Sequence, residues 1–304
     1  MAAFDLTQIP SQKGRVGIVT GANIGLGYET ALAFAEKDMT VILACRNAKK
    51  ANDAKAKIIE QYPKAKVDYI NLDLGRLASV RKFAKEVLVK YNRIDLLVNN
   101  AGIMVPPFSL TEDGFESQMG VNYFGHFLLT ALLYPTIKQT KGSRIVSLSS
   151  IAHRSGKINF DDLQSRKSYN ATVAYSQSKL ACLMFAYELD RRIKRAGGQV
   201  LSVASHPGIS TTNLAQHMPN WVQKYLFPIL APLIAQSPNA GAEPTLYAAL
   251  GNDVKGGDYF GPNGFREMRG RAIKVDSTSR SKDLDVAKRL WEVSEKLTKT
   301  SFPL

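Results

Sequence analysis

The sequence predicts an α/β fold: a single Rossmann-type doubly wound parallel sheet with helices on both faces. Three observations predict it. Short apolar runs alternate with helical patterns along most of the 304 residues, as repeated βα units around a parallel sheet require. The first apolar run leads into a glycine-rich turn and then a helical pattern. No Pro/Ser-rich linker, internal repeat or low-complexity segment divides the chain, and a hydrophobic content of 45% suffices for one large core. Residues 1–304 are therefore expected to form a single domain.

Residues 15–20 read as a short buried strand, followed by Gly21-Ala-Asn-Ile-Gly25-Leu-Gly27 and a helical pattern to about Lys37. A strand, a glycine-rich turn and a helix N-terminus form a ready site for a pyrophosphate. That nominates Gly21, Asn23, Ile24, Gly25 and Gly27. Gly21 allows a tight turn, while Gly25 and Gly27 let backbone approach the phosphates and the helix pack close to the sheet. The spacing is G-x-x-x-G-x-G rather than the familiar G-x-G-x-x-G. Thr40 to Cys45 is the expected second strand. Units that prefer NAD usually carry a carboxylate at this strand's end to hold the ribose 2′-hydroxyl. Here the strand runs into Arg46-Asn47. A guanidinium can pair with a 2′-phosphate, so the sequence favours NADP over NAD.

Residues 48–61 form a lysine-rich amphipathic helix, and Lys66 to Asn71 a third strand followed by Leu72-Asp73-Leu74. Asp73 and Leu74 stand at a strand's C-terminal end, the side on which such sheets bind ligands. A helix over 76–91 and a strand over 94–98 lead to Asn99-Asn100-Ala101-Gly102, where small and amide residues let backbone lie against a flat cofactor. A long helix over 112–138 carries Asn122 and His126. A fifth strand ends in Ser149-Ser150, either of which can form the loop or point at a substrate. A polar loop over 152–171 precedes a helix to about Lys194, and Gln199 to Ala204 is a sixth strand followed by Ser205-His206-Pro207-Gly208. Residues 210–240 mix aromatics with prolines. Three readings stay open there: a substrate-covering lid, which the position after a cofactor-edge strand favours, a membrane-touching patch, or a packed helix pair. A helix over 240–250, a final short strand at 257–262 and an amphipathic helix over 283–298 complete the chain.

Within the helix after residue 171, Tyr175 and Lys179 lie one turn apart on one face. A free phenol has a pKa of roughly 10, and a fixed ammonium beside it favours the phenolate. Such a pair can give or take a proton in a chemical step. Other features narrow the class. Net charge is +14, which suits an anionic partner such as a phosphorylated cofactor or anionic lipid. No basic run is interleaved with aromatics, against nucleic acid. Four histidines without ligand spacing argue against a metal. Two distant cysteines, and no basic-then-apolar run over residues 1–12, predict a reducing cytoplasm. No stretch is long and unbroken enough to span a bilayer.

Taken together, Thr20-Gly21-x-x-x-Gly25-x-Gly27, Asp73, Asn99-Asn100-Ala101-Gly102, Asn122, Ser150, Tyr175-x-x-x-Lys179 and Pro207-Gly208 resemble the short-chain dehydrogenase/reductase family, in its order, across roughly residues 14–260. Ala44-Cys45-Arg46, the stretch from Gly125 to Thr130, Asp162-Leu163-Gln164 and His206-Pro207-Gly208 are similar to its retinol dehydrogenase-like branch. The resemblance implies an NAD(P)-binding domain in which Tyr175 is the general acid or base and Lys179 assists its ionisation and binds the nicotinamide ribose. It implies that Ser150 holds the substrate oxygen and that Asn122 carries a relay water. Asp73 would contact adenine, Asn99, Ala101 and Gly102 would line the cofactor site, and Pro207, Gly208, Ile209 and Thr212 would hold carboxamide and phosphates. It allows a homodimer in which the helices at 112–138 and 172–194 pair. The function expected is carbonyl reductase-type: NADP-dependent interconversion of an apolar alcohol and its ketone or aldehyde. A non-catalytic nucleotide-binding regulator on the same fold, and an epimerase or dehydratase, are the weighed alternatives.

Overall fold

The computed structural model describes residues 4–209 and 236–304. Its strands are β1 (Val16–Thr20), β2 (Thr40–Cys45), β3 (Val67–Asn71), β4 (Leu96–Asn99), β5 (Arg144–Leu148), β6 (Leu201–Ser205), β7 (Tyr259–Pro262) and β8 (Ala272–Lys274). They form one sheet in the order β3-β2-β1-β4-β5-β6-β7-β8. All neighbours are parallel except β7 and β8, which pair antiparallel. The helices are α1 (Gly25–Glu36), α2 (Ala48–Gln61), α3 (Leu77–Lys90), α4 (Gly125–Gln139), α5 (Ala171–Arg195), α6 (Pro238–Leu250) and α7 (Leu284–Thr298).

Alternation along the strands sends side chains to two cores. Ile18, Ile42, Leu97 and Ile145 join the core under α3, α4, α5 and α7. Val19, Leu43, Val98 and Val146 join the core under α1, α2 and α6. Strands covered on both faces read as continuous apolar runs, and every residue of β1 is buried. Strand order reverses between β1 and β4, which opens a crevice at their C-terminal ends.

Several expectations need correction. The sheet is mostly, not wholly, parallel: β8 is a three-residue edge strand too short to show a period. Residues 112–116 are not helical. Leu110 bridges to Glu116, Gly114 turns at φ +82°, and the buried Glu116 carboxylate accepts the N–H groups of Gln118 and Met119. A π-type turn over Met119–Phe124 then leads into α4. Part of the surface of α4 and α5 is packed against α7 of the same chain. Trp291 of α7 packs on Phe127 and Phe185 with ring centroids 5.2 and 5.8 Å apart. Phe302 closes on Trp291 at 4.8 Å. The proposed lid at 210–240 lies outside the described residues up to 235, and Thr212 with it. Among the described residues, no helix is long and apolar enough to cross a membrane.

Trp291 is 2% exposed and joins α4, α5 and the C-terminal segment. Its truncation leaves a large void, so Trp291→Ala should cost about 3–5 kcal/mol of stability. Trp291→Phe should cost less, because the indole N–H is buried without a partner. Urea unfolding of the two variants checks the order.

Candidate active site

The glycine-rich turn begins where Gly21 donates its N–H to Ala44 (2.8 Å) and turns at φ +67°. A Cβ on Gly27 would lie 2.4 Å from the Gly21 carbonyl and 2.5 Å from Asn100 Nδ2. Only glycine lets α1 start this close to β1 and the end of β4. No side chain caps the N-terminus of α1, so its first N–H groups face a cleft of about 730 Å³. Asn23, Ile24 and Gly25 line it from the turn, Asp73 and Leu74 from the end of β3, Ala101 and Gly102 from the end of β4. Arg46 lines its far end together with Asn47 and Lys50, which lie in and just before the first turn of α2. The uncapped helix start, the glycine-walled approach and the two cations together fit a dinucleotide.

A second cavity of about 290 Å³ adjoins the first and shares Leu26, Asn100, Gly102 and Ile103 with it. Ser150, Tyr175, Lys179, Pro207, Gly208 and Ile209 meet there. Helix α5 positions two of them. Asn170 Oδ1 caps it by accepting the N–H groups of Thr172 and Val173 (both 3.0 Å). Lys179 is 6% exposed, donates to the Leu148 carbonyl at 3.1 Å, and lies 5.9 Å from the Tyr175 ring centroid. The two serines separate by role. Ser149 is buried and donates its hydroxyl to the Lys179 carbonyl (2.8 Å). Among the described residues, Ser150 Oγ accepts only the Ala152 N–H, at 3.2 Å, which leaves its proton for a ligand. Met104, Ile151 and Ala152 add apolar wall.

Three expected residues have polar groups engaged by the protein itself. Asn99 is the last residue of β4, and its side chain points under the sheet edge to donate to Thr130 (3.0 Å). Its neighbour Asn100, just past the end of β4, lines the cleft instead, with its amide donating to the Thr20 carbonyl (2.7 Å). Asn122 lines neither cavity. Its amide accepts the Ile103 N–H (2.8 Å) and donates to the Ile103 carbonyl and Ser178 (3.0 and 2.9 Å), so it clamps the cleft wall to α5. Ile209 lines the cavity; its N–H donates to the Met268 carbonyl (2.7 Å), and its carbonyl accepts the Gln236 N–H (2.9 Å) with a second lone pair still open.

Sequence reasoning did not single out Lys50 or Met104, nor the individual roles of Asn100 and His126. A second cation four residues after Arg46 was a readable signal for Lys50; the others had none. His126 is 4% exposed. Its Nδ1 lies 2.9 Å from the Asn122 carbonyl, which also receives the Cys182 thiol, and its Nε2 lies 2.9 Å from Thr20 Oγ1. Thr20 Oγ1 in turn accepts the N–H groups of Asn100 and Ala101 (both 2.9 Å). The neutral ring with its proton on Nδ1 satisfies all of these partners. Burial pushes the His126 pKa down to about 4, and does the same for His153.

Residues 15–223 match the family model described as short chain dehydrogenase. The chain is 40% identical over 297 residues to retinol dehydrogenase 13 of Homo sapiens, covering 95% of this chain and 86% of that protein. It is 39% identical over 298 residues to a polyprenol dehydrogenase of Danio rerio, covering 96% and 89%. A solved structure of an uncharacterized protein from Mycobacterium Paratuberculosis aligns with a TM-score of 0.83 and 41% identity over 100% of both chains. A short chain dehydrogenase from Shigella flexneri, complexed with NADP, shares the fold with a TM-score of 0.62 at 23% identity, over 81% of this chain and 96% of that one. The chain therefore belongs to the short-chain dehydrogenase/reductase family, which binds NAD(P) and acts on alcohol/carbonyl pairs. Within that family it is retinol dehydrogenase-like.

The buried histidines predict an acid-side loss of stability. Their folded pKa values lie below the unfolded value near 6.5, so the unfolded chain binds more protons as pH falls. The stability they contribute is complete above pH 6.5 and is lost toward pH 4, by roughly 3 kcal/mol per histidine. Urea unfolding between pH 7 and 4 should show that slope, and His126→Gln should reduce it by about one proton.

Proposed function

We propose that the protein is an NADP-dependent oxidoreductase that interconverts an apolar alcohol and its aldehyde or ketone. The observation that carries this reading is the convergence of the Ser150 hydroxyl, the Tyr175 phenol and the Lys179 ammonium on one cavity that opens into the dinucleotide cleft. Arg46 and Lys50 support NADP: two cations, and no carboxylate at the end of β2, suit a 2′-phosphate. Met104, Ile151 and Ala152 support an apolar substrate.

When bound, the nicotinamide cofactor supplies or accepts the hydride. The protein's residues manage the oxygen. In the reductive direction Ser150 and Tyr175 both donate hydrogen bonds to the substrate oxygen as negative charge grows on it, and fixed donors stabilise that charge without reorganising. Tyr175 then gives its phenolic proton to that oxygen; in the oxidative direction it takes the proton back. Lys179 stays fixed beside the phenol through the Leu148 carbonyl. Asn122 holds the Ile103 backbone, and with it the cavity wall, at a set distance from α5.

Tyr175→Phe should lower kcat/KM by about 10²–10⁴-fold on apolar aldehydes with NADPH, with the unfolding midpoint unchanged. Wild-type turnover that survives this change would sink the assignment. Arg46→Ala removes one charge-assisted contact and should weaken NADPH by about 10–100-fold while leaving NADH binding unaltered. Cofactor fluorescence titration reads the difference, and equal effects on both cofactors would remove Arg46 as the determinant.

A further inference from the structure

We propose that Glu267 is a positioning residue for the nicotinamide end of the cleft. Its carboxylate ties the turn that carries Ser150 to the strand end that carries Pro207, Gly208 and Ile209. The inference rests on the cofactor reading above and extends it to a residue outside the matched family segment, which ends at 223.

The carboxylate is used at both ends. Oε1 accepts from Arg154 Nη2 at 2.6 Å, and Oε2 accepts from His206 Nε2 at 2.9 Å. Arg154 stands in the short helical turn Ile151–Ser155 that Ser150 caps. That turn is fastened to Ser150 itself, whose carbonyl lies 3.0 Å from the His153 N–H and 2.7 Å from His153 Nδ1. His206 follows β6 directly and is fully buried. With its proton on Nε2 toward Glu267, its Nδ1 accepts the Gly208 N–H at 3.2 Å. The ring sits where a Cβ on Gly261 would lie 2.1 Å from Nε2, so β7 leaves room for this histidine only by having glycine there.

The turn bearing Glu267 also presses on the same strand end. The Met268 carbonyl accepts the Ile209 N–H at 2.7 Å, and a Cβ on Gly208 would lie 2.3 Å from it. Gln236 completes the brace, donating from Nε2 to the Pro207 carbonyl (2.7 Å) and accepting the Gly270 N–H at Oε1 (3.2 Å). Arg266 and Glu267 both hold left-handed backbone, at φ 49° and 59°. Two successive non-glycine residues there are uncommon, and such conformations persist only where surrounding contacts impose them. The Arg154 ion pair and the His206 hydrogen bond of Glu267 are those contacts. They join the turn below Ser150 to the wall on the opposite side of the cavity. The distance between the oxygen-binding hydroxyl and the nicotinamide wall is therefore set by a side chain that touches neither ligand.

A glutamine at this position keeps the shape but presents an acceptor at one end only, so one of the two joints must open. The test compares NADPH with adenosine 2′,5′-bisphosphate, which fills the adenosine end and lacks the nicotinamide, on wild type, Glu267→Gln, Glu267→Ala and Arg154→Gln. We expect Glu267→Ala to weaken NADPH by about ten-fold, the Gln variants by less, and the bisphosphate to change by less than about two-fold in all three. Unchanged NADPH binding in Glu267→Ala and Glu267→Gln would overturn the proposal. Equal weakening of both ligands would also overturn it, since that marks general destabilisation. Wild-type protein that bound neither ligand would overturn the cofactor reading, and this inference with it.

Discussion

The cleft depends on how the ends of β1 and β4 are joined. These strands are neighbours in the sheet, yet their continuations leave toward opposite faces, and backbone groups at such a switch point lose their ladder partners. A buried N–H without a partner is costly. Thr20 meets that need: its hydroxyl accepts the N–H groups of Asn100 and Ala101, and its carbonyl accepts Asn100 Nδ2 at 2.7 Å. The resulting close approach leaves no room for a side chain at Gly27.

The same junction reaches the helix of Tyr175 and Lys179 through buried hydrogen bonds. His126 links the Thr20 hydroxyl to the Asn122 carbonyl, and the Asn122 amide bridges Ile103 to Ser178 on α5. The π-type turn over Met119–Phe124 matters here, because its changed winding places Asn122 where both its carbonyl and its amide find partners outside their own helix. The glycine-rich turn and the Tyr175–Lys179 face thus share one connected polar network. Such a network holds side chains more closely than packing alone.

Packing from the other side fixes α5. Phe127, Phe185, Trp291 and Phe302 come from α4, α5, α7 and the C-terminal segment, and form one aromatic cluster. Arg192 of α5 stacks over Trp291 at 4.4 Å. The helix that carries Tyr175 and Lys179 is therefore held between the sheet, α4 and α7 within a single chain. The apolar stripe of residues 283–298 announced a buried helix; nothing in it said which face it would cover.

Local chemistry determined most of what the sequence alone disclosed. Apolar periodicity placed the strands β1 to β7 and most helices, because a parallel sheet buries its strands on both faces. The Gly21–Gly27 spacing and the one-turn separation of Tyr175 and Lys179 were legible because each is a short-range relation along the chain. The end of β2 was legible as a missing carboxylate. Tertiary structure decided what depends on which groups are already taken. Ser149 and Ser150 are alike as residues, but Ser149 spends its proton on the Lys179 carbonyl. Asn99 and Asn100 are alike too, but the first donates to Thr130 under the sheet edge and the second to the Thr20 carbonyl at the cleft. The His126 link, the cover that α7 lays over α4 and α5, and the reach of Glu267 to Arg154 and His206 join residues many positions apart. No spacing encodes such contacts, because they form only when the sheet has brought its strand ends together.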